Sequence, residues 1–361
     1  MKTVYILGAG FSREAGLPLA NGFFSVMKDV WLNLKPEHQT PAIQVSLAKA
    51  LKFHADLNTQ FSIPLPIQSD NIEDVFSLFS AESIGKKHQT GFDRLIMQNA
   101  IAYTLAIKTR DAYKADSKIP HKYAEWLRAM LRHTDANDYN NTSIITFNYD
   151  DIIERSCNVL KVNYNIGFDL DNGYCKYYQD TDWSKNKENF EANIRLVSNS
   201  NTNSLSIYKL HGSVRWLRQK NPAGLAVGDP ISLLTSQELT TEPANHEIFI
   251  EPPTFGKSLI DPIMRTQWAN AYKALMNAHK IIIVGYSFPK TDQHALYFLI
   301  AALRNNSAAK ECIIVNPAAE TSDELIKLST MLYELHAFNE IKPLSIEAGK
   351  FFEDPQYRDI L

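Results

Sequence analysis

Short apolar runs, each followed at once by glycine or polar residues, recur along the chain. Runs of four or five apolar residues that end in this way are typical of buried strands in a parallel sheet. Near the carboxyl end of the chain, helical segments alternate with such runs, which favours β-α-β connections. The pattern therefore predicts an α/β fold: a Rossmann-like parallel sheet with helices on both faces. The predicted strands, which are mainly apolar, occupy residues 4–7, 143–147, 206–210, 280–284 and 312–315.

Helical periodicity dominates the long interval between the first two predicted strands. It predicts a largely helical layer over about residues 20–140, with a proline-containing loop at 62–70. Residues 163–204 are rich in Asn, Asp, Lys and Ser and predict a surface loop insertion. We expect one Rossmann-type domain over residues 1–320, with residues 321–361 as a tail packed on the same domain.

A glycine turn follows the first predicted strand. Gly8 and Gly10 allow a tight turn and a close approach to a ligand, and Ser12 is suited to cap a following helix. A strand, a glycine turn and a helix N-terminus together predict a phosphate cradle built from backbone N–H groups. The spacing departs from the usual dinucleotide fingerprint, because Arg13 stands at the third glycine position and the next glycine is Gly16.

Four more predicted strands end in polar residues or glycine. Because parallel strands present their carboxyl ends at the same edge of a sheet, these residues are expected to meet around one ligand. Singly, each has a simpler interpretation: a buried histidine, a helix cap or a strand end. The segments are 148–151, 211–212, 285–287 and 316–317.

Composition and charge narrow the function classes. The net charge of −3 provides no global basic field for nucleic acid, so no direct nucleic-acid binding is expected. The three cysteines form no Cys-x-x-Cys pair, so no metal is expected, and their sparseness fits a reducing cytosol. With neither a signal peptide nor a membrane-length apolar stretch evident, we expect a soluble, cytoplasmic protein.

The order of these motifs resembles the sirtuin superfamily, and most of all its divergent bacterial sirtuin-like NADases. The resemblance rests on Gly8-Ala9-Gly10-Phe11-Ser12 with Gly16-Leu17-Pro18, on Thr146-Phe147-Asn148-Tyr149-Asp150, on Leu210-His211-Gly212, on Gly285-Tyr286-Ser287 and on Val315-Asn316.

The chain also departs from the protein-deacylating sirtuins. It lacks their two zinc-binding Cys-x-x-C pairs. Leu19-Ala20-Asn21 stands where they carry Asp-Phe-Arg, and Phe147 replaces the glutamine before the key asparagine. The resemblance therefore implies an NAD site without zinc-supported deacylation.

The resemblance also implies roles for individual residues. Asn148, His211 and Asp150 would be catalytic, with Asn148 binding ribose hydroxyls or water and His211 acting as general base. Asp150 would bind the nicotinamide amide or favour the cationic centre. The NAD-binding residues would be Gly8, Ala9, Gly10, Phe11, Ser12, Gly16, Leu17, Pro18, Phe147, Gly285, Tyr286, Ser287 and Asn316.

The activity implied is NAD+ hydrolysis, with NAD+ as substrate, in antiphage defence by NAD depletion (abortive infection). Such an enzyme is expected to be restrained by a homo-oligomer or by a separate partner, such as a HerA-type ATPase or an Argonaute-like protein. An NAD or nucleotide-derivative sensor and an NAD-dependent protein deacylase remain alternatives, and NADP remains open as a substrate.

Overall fold

The computed structural model describes residues 1–60, 70–85, 90–116, 118–132, 139–168, 197, 203–219, 231–233, 246–251 and 261–360. Within these residues, seven parallel strands form one sheet in the order β10-β9-β8-β1-β2-β4-β3. Their bounds are β1 Thr3–Leu7, β2 Thr142–Thr146, β3 Tyr164–Asn165, β4 Leu205–Lys209, β8 Lys280–Val284, β9 Glu311–Val315 and β10 Glu340–Leu344.

The middle of this sheet is buried on both faces. All five residues of β8 are buried, as are four of the five in β1 and in β9. Such continuous apolar strands form where helices cover both sides of a parallel sheet. The predicted Rossmann-like fold is confirmed, and the runs at 280–284 and 312–315 fall on β8 and β9.

The point where the strand order reverses is at β1. This strand pairs with β2 on one side and with β8 on the other, although they lie far apart in sequence. In open α/β sheets, ligands bind outside the carboxyl ends of the strands at such a point. The residues that follow Leu7, Thr146 and Val284 therefore lie at the expected ligand crevice.

Helices occupy most of the chain between β1 and β2, as predicted for residues 20–140. They are α1 Phe23–Leu32, α2 Pro41–Gln60, α3 Ile72–Gly85, α4 Thr90–Ala115 and α5 Lys118–Met130. The Asn71 side chain accepts the N–H of Glu73 at 2.9 Å and so caps α3. The later helices are α6 Ile152–Leu160, α7 Pro262–Met276, α8 Gln293–Arg304, α9 Asp323–Glu334 and α10 Ala348–Glu353.

Two predicted loops fall largely outside the described residues. The loop at 62–70 is described at residue 70 alone, and most of the predicted insertion at 163–204 likewise lies beyond the described part. The division of the chain at residue 320 stays a prediction. The predicted tail contributes α9, β10 and α10, and β10 pairs with β9 at the edge of the sheet.

A second, antiparallel sheet begins directly after His211. It consists of β5 Gly212–Gln219, β6 Ile231–Leu233 and β7 His246–Ile250, in the order β6-β5-β7. The short strand predicted at 248–250 is part of β7. Trp216 of β5 is buried and stacks on Phe249 at 6.4 Å between ring centroids, so its role here is packing.

The prediction that a helix directly follows the glycine turn is wrong. Two short 3-10 turns, Ala9–Phe11 and Arg13–Ala15, follow β1, and the first α-helix starts only at Phe23. Ser12 makes no capping hydrogen bond. Its hydroxyl donates instead to Asp150 Oδ2 at 2.7 Å, so a tertiary contact replaces the local cap.

Gly285→Ala is expected to destabilise the protein far more than Gly16→Ala. Both glycines have positive φ, 66° and 71°, where a Cβ costs about 1–2 kcal/mol. Open space surrounds Gly16, whereas a Cβ on Gly285 would lie 2.5 Å from the carbonyl carbon of Gly10. Overpacking raises the expected loss for Gly285→Ala to about 3 kcal/mol or more. Urea unfolding of the two variants measures the difference; equal losses would contradict it.

Candidate functional site

One cavity of about 450 Å³ lies at the carboxyl ends of β1, β2 and β8. The strand ends form its polar side, and the helical layer forms an apolar side with Phe76, Ile101 and Leu105. Sequence reasoning gave the helical layer no part in the site. The residues predicted for the site that line this cavity are Ala9, Gly10, Ser12, Leu17, Pro18, Phe147, Asn148, Asp150, His211, Gly285, Tyr286, Ser287 and Asn316.

Three predicted NAD-binding residues, Gly8, Phe11 and Gly16, are not among the residues that line the cavity. The geometry gives Gly8 another task, because a Cβ there would lie 2.5 Å from the Cα of Tyr286. Gly8 and Gly10 therefore let the loop after β1 pack against the loop after β8. The need for glycine comes from this contact between two loops.

The prediction that the glycine turn offers a phosphate cradle of free backbone N–H groups needs correction. The N–H groups of Gly8 and Gly10 donate to Val284 and Gly285, at 3.0 and 2.9 Å. Those of Phe11 and Ser12 donate to Gly8 and Ala9 within the 3-10 turn. These four N–H groups already have acceptors inside the protein: two at the end of β8 and just after it, and two within the turn itself.

Asn148 is held firmly from the turn after β1. Its Nδ2 donates to the carbonyl oxygen of Gly8 at 2.9 Å and to Ser12 Oγ at 3.0 Å. The neighbouring carbonyl fixes which end of the amide is the nitrogen. Both hydrogens of the amide are thus used, and among the described residues Oδ1 accepts no hydrogen bond. Asn148 was expected both to donate hydrogen bonds to a substrate and to accept them. With Nδ2 used within the protein, only acceptance by Oδ1 remains.

Asp150 is buried beside the same serine. One oxygen accepts the Ser12 hydroxyl, and the other accepts the N–H of Ile152 at 3.1 Å, at the start of α6. Burial raises the pKa of Asp150, and the Lys209 ammonium opposes that rise. The carboxyl group therefore supports the turn and the helix start. Its predicted catalytic role stays a prediction.

His211 is buried at the end of β4 and is paired with a residue that sequence reasoning missed. Its Nε2 lies 2.9 Å from Asp292 Oδ2, and Tyr286 donates its hydroxyl to the same oxygen at 2.7 Å. Burial raises the pKa of Tyr286 well above its ordinary value, as does the nearby carboxylate, so the hydroxyl keeps its proton. In the sequence, Asp292 has the appearance of an ordinary acid before a helix.

Aromatic rings form the wall beside His211. Phe147 and Tyr286 stack in parallel, with centroids 4.2 Å apart and planes 4° apart. The edge of this pair meets the His211 ring at 5.1 Å from Phe147. Phe147 thereby adds to an apolar surface around the imidazole.

The cavity mouth carries charged side chains from distant parts of the chain. Arg13 pairs with Glu347 at 2.8 Å, with both side chains more than half exposed. An exposed pair of this kind contributes little, about 0–1 kcal/mol, so it opens readily. Glu347 lies just before α10, which brings the C-terminal tail to the cavity.

Within the described residues, no group of His, Cys, Asp or Glu side chains is arranged to hold a metal ion. Cys157 and Cys312 are both buried free thiols, and burial raises the pKa of Cys312 to about 12. Across the same part of the chain, none of the helices combines the length and apolar character that crossing a membrane requires.

The family model for the SIR2-like domain matches residues 142–336. Among solved structures, each 13% identical, a structure of Sir2Tm bound to a propionylated peptide has a TM-score of 0.40 and covers 97% of this chain and 90% of its own. Sir2 in complex with the inhibitor EX-527, 2'-O-acetyl-ADP-ribose and a deacetylated p53 peptide has a TM-score of 0.38, and the match covers 97% of this chain and 90% of that one. A structure described under the structural basis of sirtuin substrate affinity has a TM-score of 0.37, and the match covers 97% of this chain and 91% of that one. No curated protein matches the chain.

The family match extends from β2 through α9 and includes four of the five motifs in full: those at Asn148, His211, Gly285 and Asn316. It begins after the first motif, the glycine turn. The predicted sirtuin-like membership is confirmed, while the NADase branch stays a prediction. Since the match covers more than half of the sequence, the chain belongs to the SIR2-like domain family, a family of NAD-using enzymes.

Proposed function

We propose that this protein is an NAD+ glycohydrolase, which cleaves the bond between nicotinamide and ribose to give nicotinamide and ADP-ribose. The observation that carries the proposal is that the buried side chains of Asn148 and His211 line the same cavity. Asn148 presents an acceptor oxygen whose position is fixed by Gly8 and Ser12, and His211 presents an oriented imidazole. Binding alone would not require a base.

The chemistry suits these two groups. The C1'–N bond breaks with its electron pair going to the nicotinamide ring, which leaves as a neutral pyridine and needs no acid. The ribose develops oxocarbenium character, as in glycoside hydrolysis. Asn148 Oδ1 would accept a hydrogen bond from a ribose hydroxyl or from the attacking water. His211 would take the proton as the water oxygen bonds to C1'.

The remaining predicted residues would shape the site. The turn containing Ala9 and Gly10 gives a close backbone surface for the pyrophosphate, although most of its N–H groups are used internally. Leu17, Pro18 and the Phe147–Tyr286 stack would provide apolar contacts. Ser287 and Asn316 would lie against the adenosine half.

The proposed biological role is NAD depletion in antiphage defence, leading to abortive infection in the cytoplasm. It is supported by the resemblance to sirtuin-like NADases. Because free NAD hydrolysis would harm the host, we propose that a homo-oligomer or a separate partner restrains the enzyme. A HerA-type ATPase or an Argonaute-like protein is the kind of partner implied.

The test is nicotinamide release from NAD+ by purified protein, with and without an acetyl-lysine peptide and with NADP+ in parallel. We expect release that does not depend on the peptide and that His211→Ala abolishes. Release that requires the peptide would instead establish a deacylase. NAD+ binding without turnover in every assembly state would establish a sensor.

The same preparation, separated by size and assayed fraction by fraction, tests the restraint. We expect activity to follow an assembled form. A fully active monomer would contradict restraint by assembly while leaving the hydrolase proposal intact.

A further inference from the structure

Asp292 is a buried carboxylate whose position depends on several elements. It lies in the turn before α8 and is 2% exposed, while its partners His211 and Tyr286 are 3% and 6% exposed. The backbone N–H of Asp292 donates to the carbonyl oxygen of Pro289 at 2.9 Å, which closes the turn. The hydroxyl of the preceding Thr291 lies 2.5 Å from Glu73 Oε2 on α3. The turn is thus anchored to the helical layer across the cavity.

A carboxylate in such surroundings is retained only when hydrogen bonds or charges compensate its burial. Asp292 Oδ2 receives the Tyr286 hydroxyl and faces His211 Nε2. An ionised carboxylate accepts hydrogen bonds and donates none, so its position 2.9 Å from Nε2 favours the tautomer of the neutral imidazole that carries its proton on Nε2. The lone pair then lies on Nδ1, which becomes the basic nitrogen of the ring.

We propose that Asp292 is the positioning residue for His211: through Nε2 it fixes the tautomer and orientation of the imidazole, and it stabilises the imidazolium formed when Nδ1 takes a proton. The inference rests on the proposed function for its kinetic consequence. Its structural part, the effect of Asp292 on the His211 tautomer, does not depend on turnover.

Tyr286 is the second part of this arrangement. Its hydroxyl occupies the same carboxylate oxygen as His211, while its ring stacks on Phe147, which in turn contacts the imidazole. Tyr286 therefore limits the rotation of the carboxyl group. Removal of its hydroxyl would loosen Asp292 but leave the charge in place.

The decisive variant is Asp292→Asn, which keeps the shape of the side chain but removes the charge. Its amide group can turn an NH₂ towards Nε2, which moves the imidazole proton to Nδ1 and leaves the wrong nitrogen basic. We expect kcat to fall by up to about 10⁴-fold, the loss seen when the orienting aspartate beside a catalytic histidine becomes asparagine. KM for NAD+ should change less than about threefold, since no substrate contact is lost.

Three comparison variants define the cause. Asp292→Glu should restore part of kcat, because it returns the charge near Nε2. Tyr286→Phe should lower kcat by about tenfold, since it removes one hydrogen bond to a charged group. Asp261→Asn is the matched control: Asp261 caps α7 by accepting two N–H groups, a task that asparagine performs equally well.

The independent readout is ¹⁵N NMR of the histidine ring nitrogens in protein without NAD+. The His211 signals are identified by their loss in His211→Ala. We expect Nε2 to be protonated in the wild type and Nδ1 in Asp292→Asn. An unchanged tautomer together with kcat within about threefold of wild type would overturn the proposal. If the wild type releases no nicotinamide, the proposed hydrolase fails, but the tautomer measurement still tests Asp292.

Discussion

Asn148→Asp is expected to lower nicotinamide release by about 10³-fold, the upper range for loss of one preorganised polar group in an active site. The two side chains have nearly the same shape. The difference is that aspartate supplies no hydrogen for the two acceptors that now hold Asn148. The measurement is kcat/KM for nicotinamide release from NAD+ by the variant and by the wild type.

The physical reason is repulsion between acceptors. In the wild type, Nδ2 lies 2.9 Å from the Gly8 carbonyl oxygen and 3.0 Å from Ser12 Oγ. In the variant, a carboxylate oxygen would face that carbonyl. The Ser12 hydroxyl, which already donates to Asp150, would then lie between two carboxyl groups. The new side chain must either turn away, which removes the acceptor from its place, or take up a proton on the oxygen that faces Gly8. Protonation is unfavourable at neutral pH, and it supplies one hydrogen where the amide supplies two.

Asn165→Asp provides a matched control for the loss of the buried amide. Asn165 lies on β3, outside the cavity, and its Nδ2 donates to the hydroxyls of Ser204 and Ser206. It is 4% exposed, compared with 8% for Asn148. The control should therefore lose stability while keeping the activity of its folded fraction. Similar losses of kcat/KM per folded molecule in both variants would contradict a specific role for Asn148.

The sequence was sufficient to predict which strand ends line the cavity. Parallel strands of four or five apolar residues have few alternatives, and their carboxyl ends must meet at one edge of the sheet. Asn148, His211 and Gly285 each follow such a strand directly, so their convergence on one cavity was predictable from pattern alone.

Contacts between side chains far apart in sequence were not predictable. Serine is a common helix-capping residue, yet the hydroxyl of Ser12 donates a hydrogen bond to Asp150 instead. Asp292 has the appearance of an acid at a helix start, yet it meets His211 across the sheet. The apolar wall at Ile101 and Leu105 follows the same helical period as any core, so periodicity gave no indication that it borders a cavity.

Lys209 is the clearest case of a charge that sequence reasoning would leave on the surface. It is the last residue of β4 and is only 1% exposed. Its ammonium group contacts the carbonyl oxygen of Asp150 and lies 3.1 Å from Glu154 Oε1 on α6. Lys209 thus connects the loop that carries Asn148 and Asp150 to β4, the strand that precedes His211.

Lys209→Met is expected to destabilise the protein by about 3–5 kcal/mol, the usual loss when one partner of a buried ion pair is removed. Methionine fills a similar volume but leaves the carboxyl group of Glu154 buried without its cation. Burial already raises the pKa of Glu154, and Lys209 opposes that rise, so the pKa rises further in the variant. Urea unfolding at several pH values is the measurement.

The pH dependence follows from the sign of that shift. A folded-state pKa above the unfolded value means that the folded variant favours protonated Glu154. The loss caused by Lys209→Met should therefore be smallest at acidic pH and grow as the pH rises through the raised pKa of Glu154. Adding Glu154→Gln should recover much of the stability at neutral pH, because the side chain that paired with Lys209 then carries no charge. A pH-independent loss, unaffected by Glu154→Gln, would contradict the ion-pair explanation.

Lys280→Met is the matched control at the opposite end of the sheet. Lys280 begins β8, is 7% exposed and pairs with Glu311 at 3.0 Å. Glu311 also pairs with Lys342 at 2.9 Å and is partly exposed, so it keeps a cation and water when Lys280 is replaced. Its loss of stability should therefore be the smaller of the two. Nicotinamide release should fall in Lys209→Met alone, since only that lysine holds the carbonyl of Asp150 beside the cavity. A smaller loss of stability in Lys209→Met than in Lys280→Met would show that burial does not determine the cost of removing these lysines.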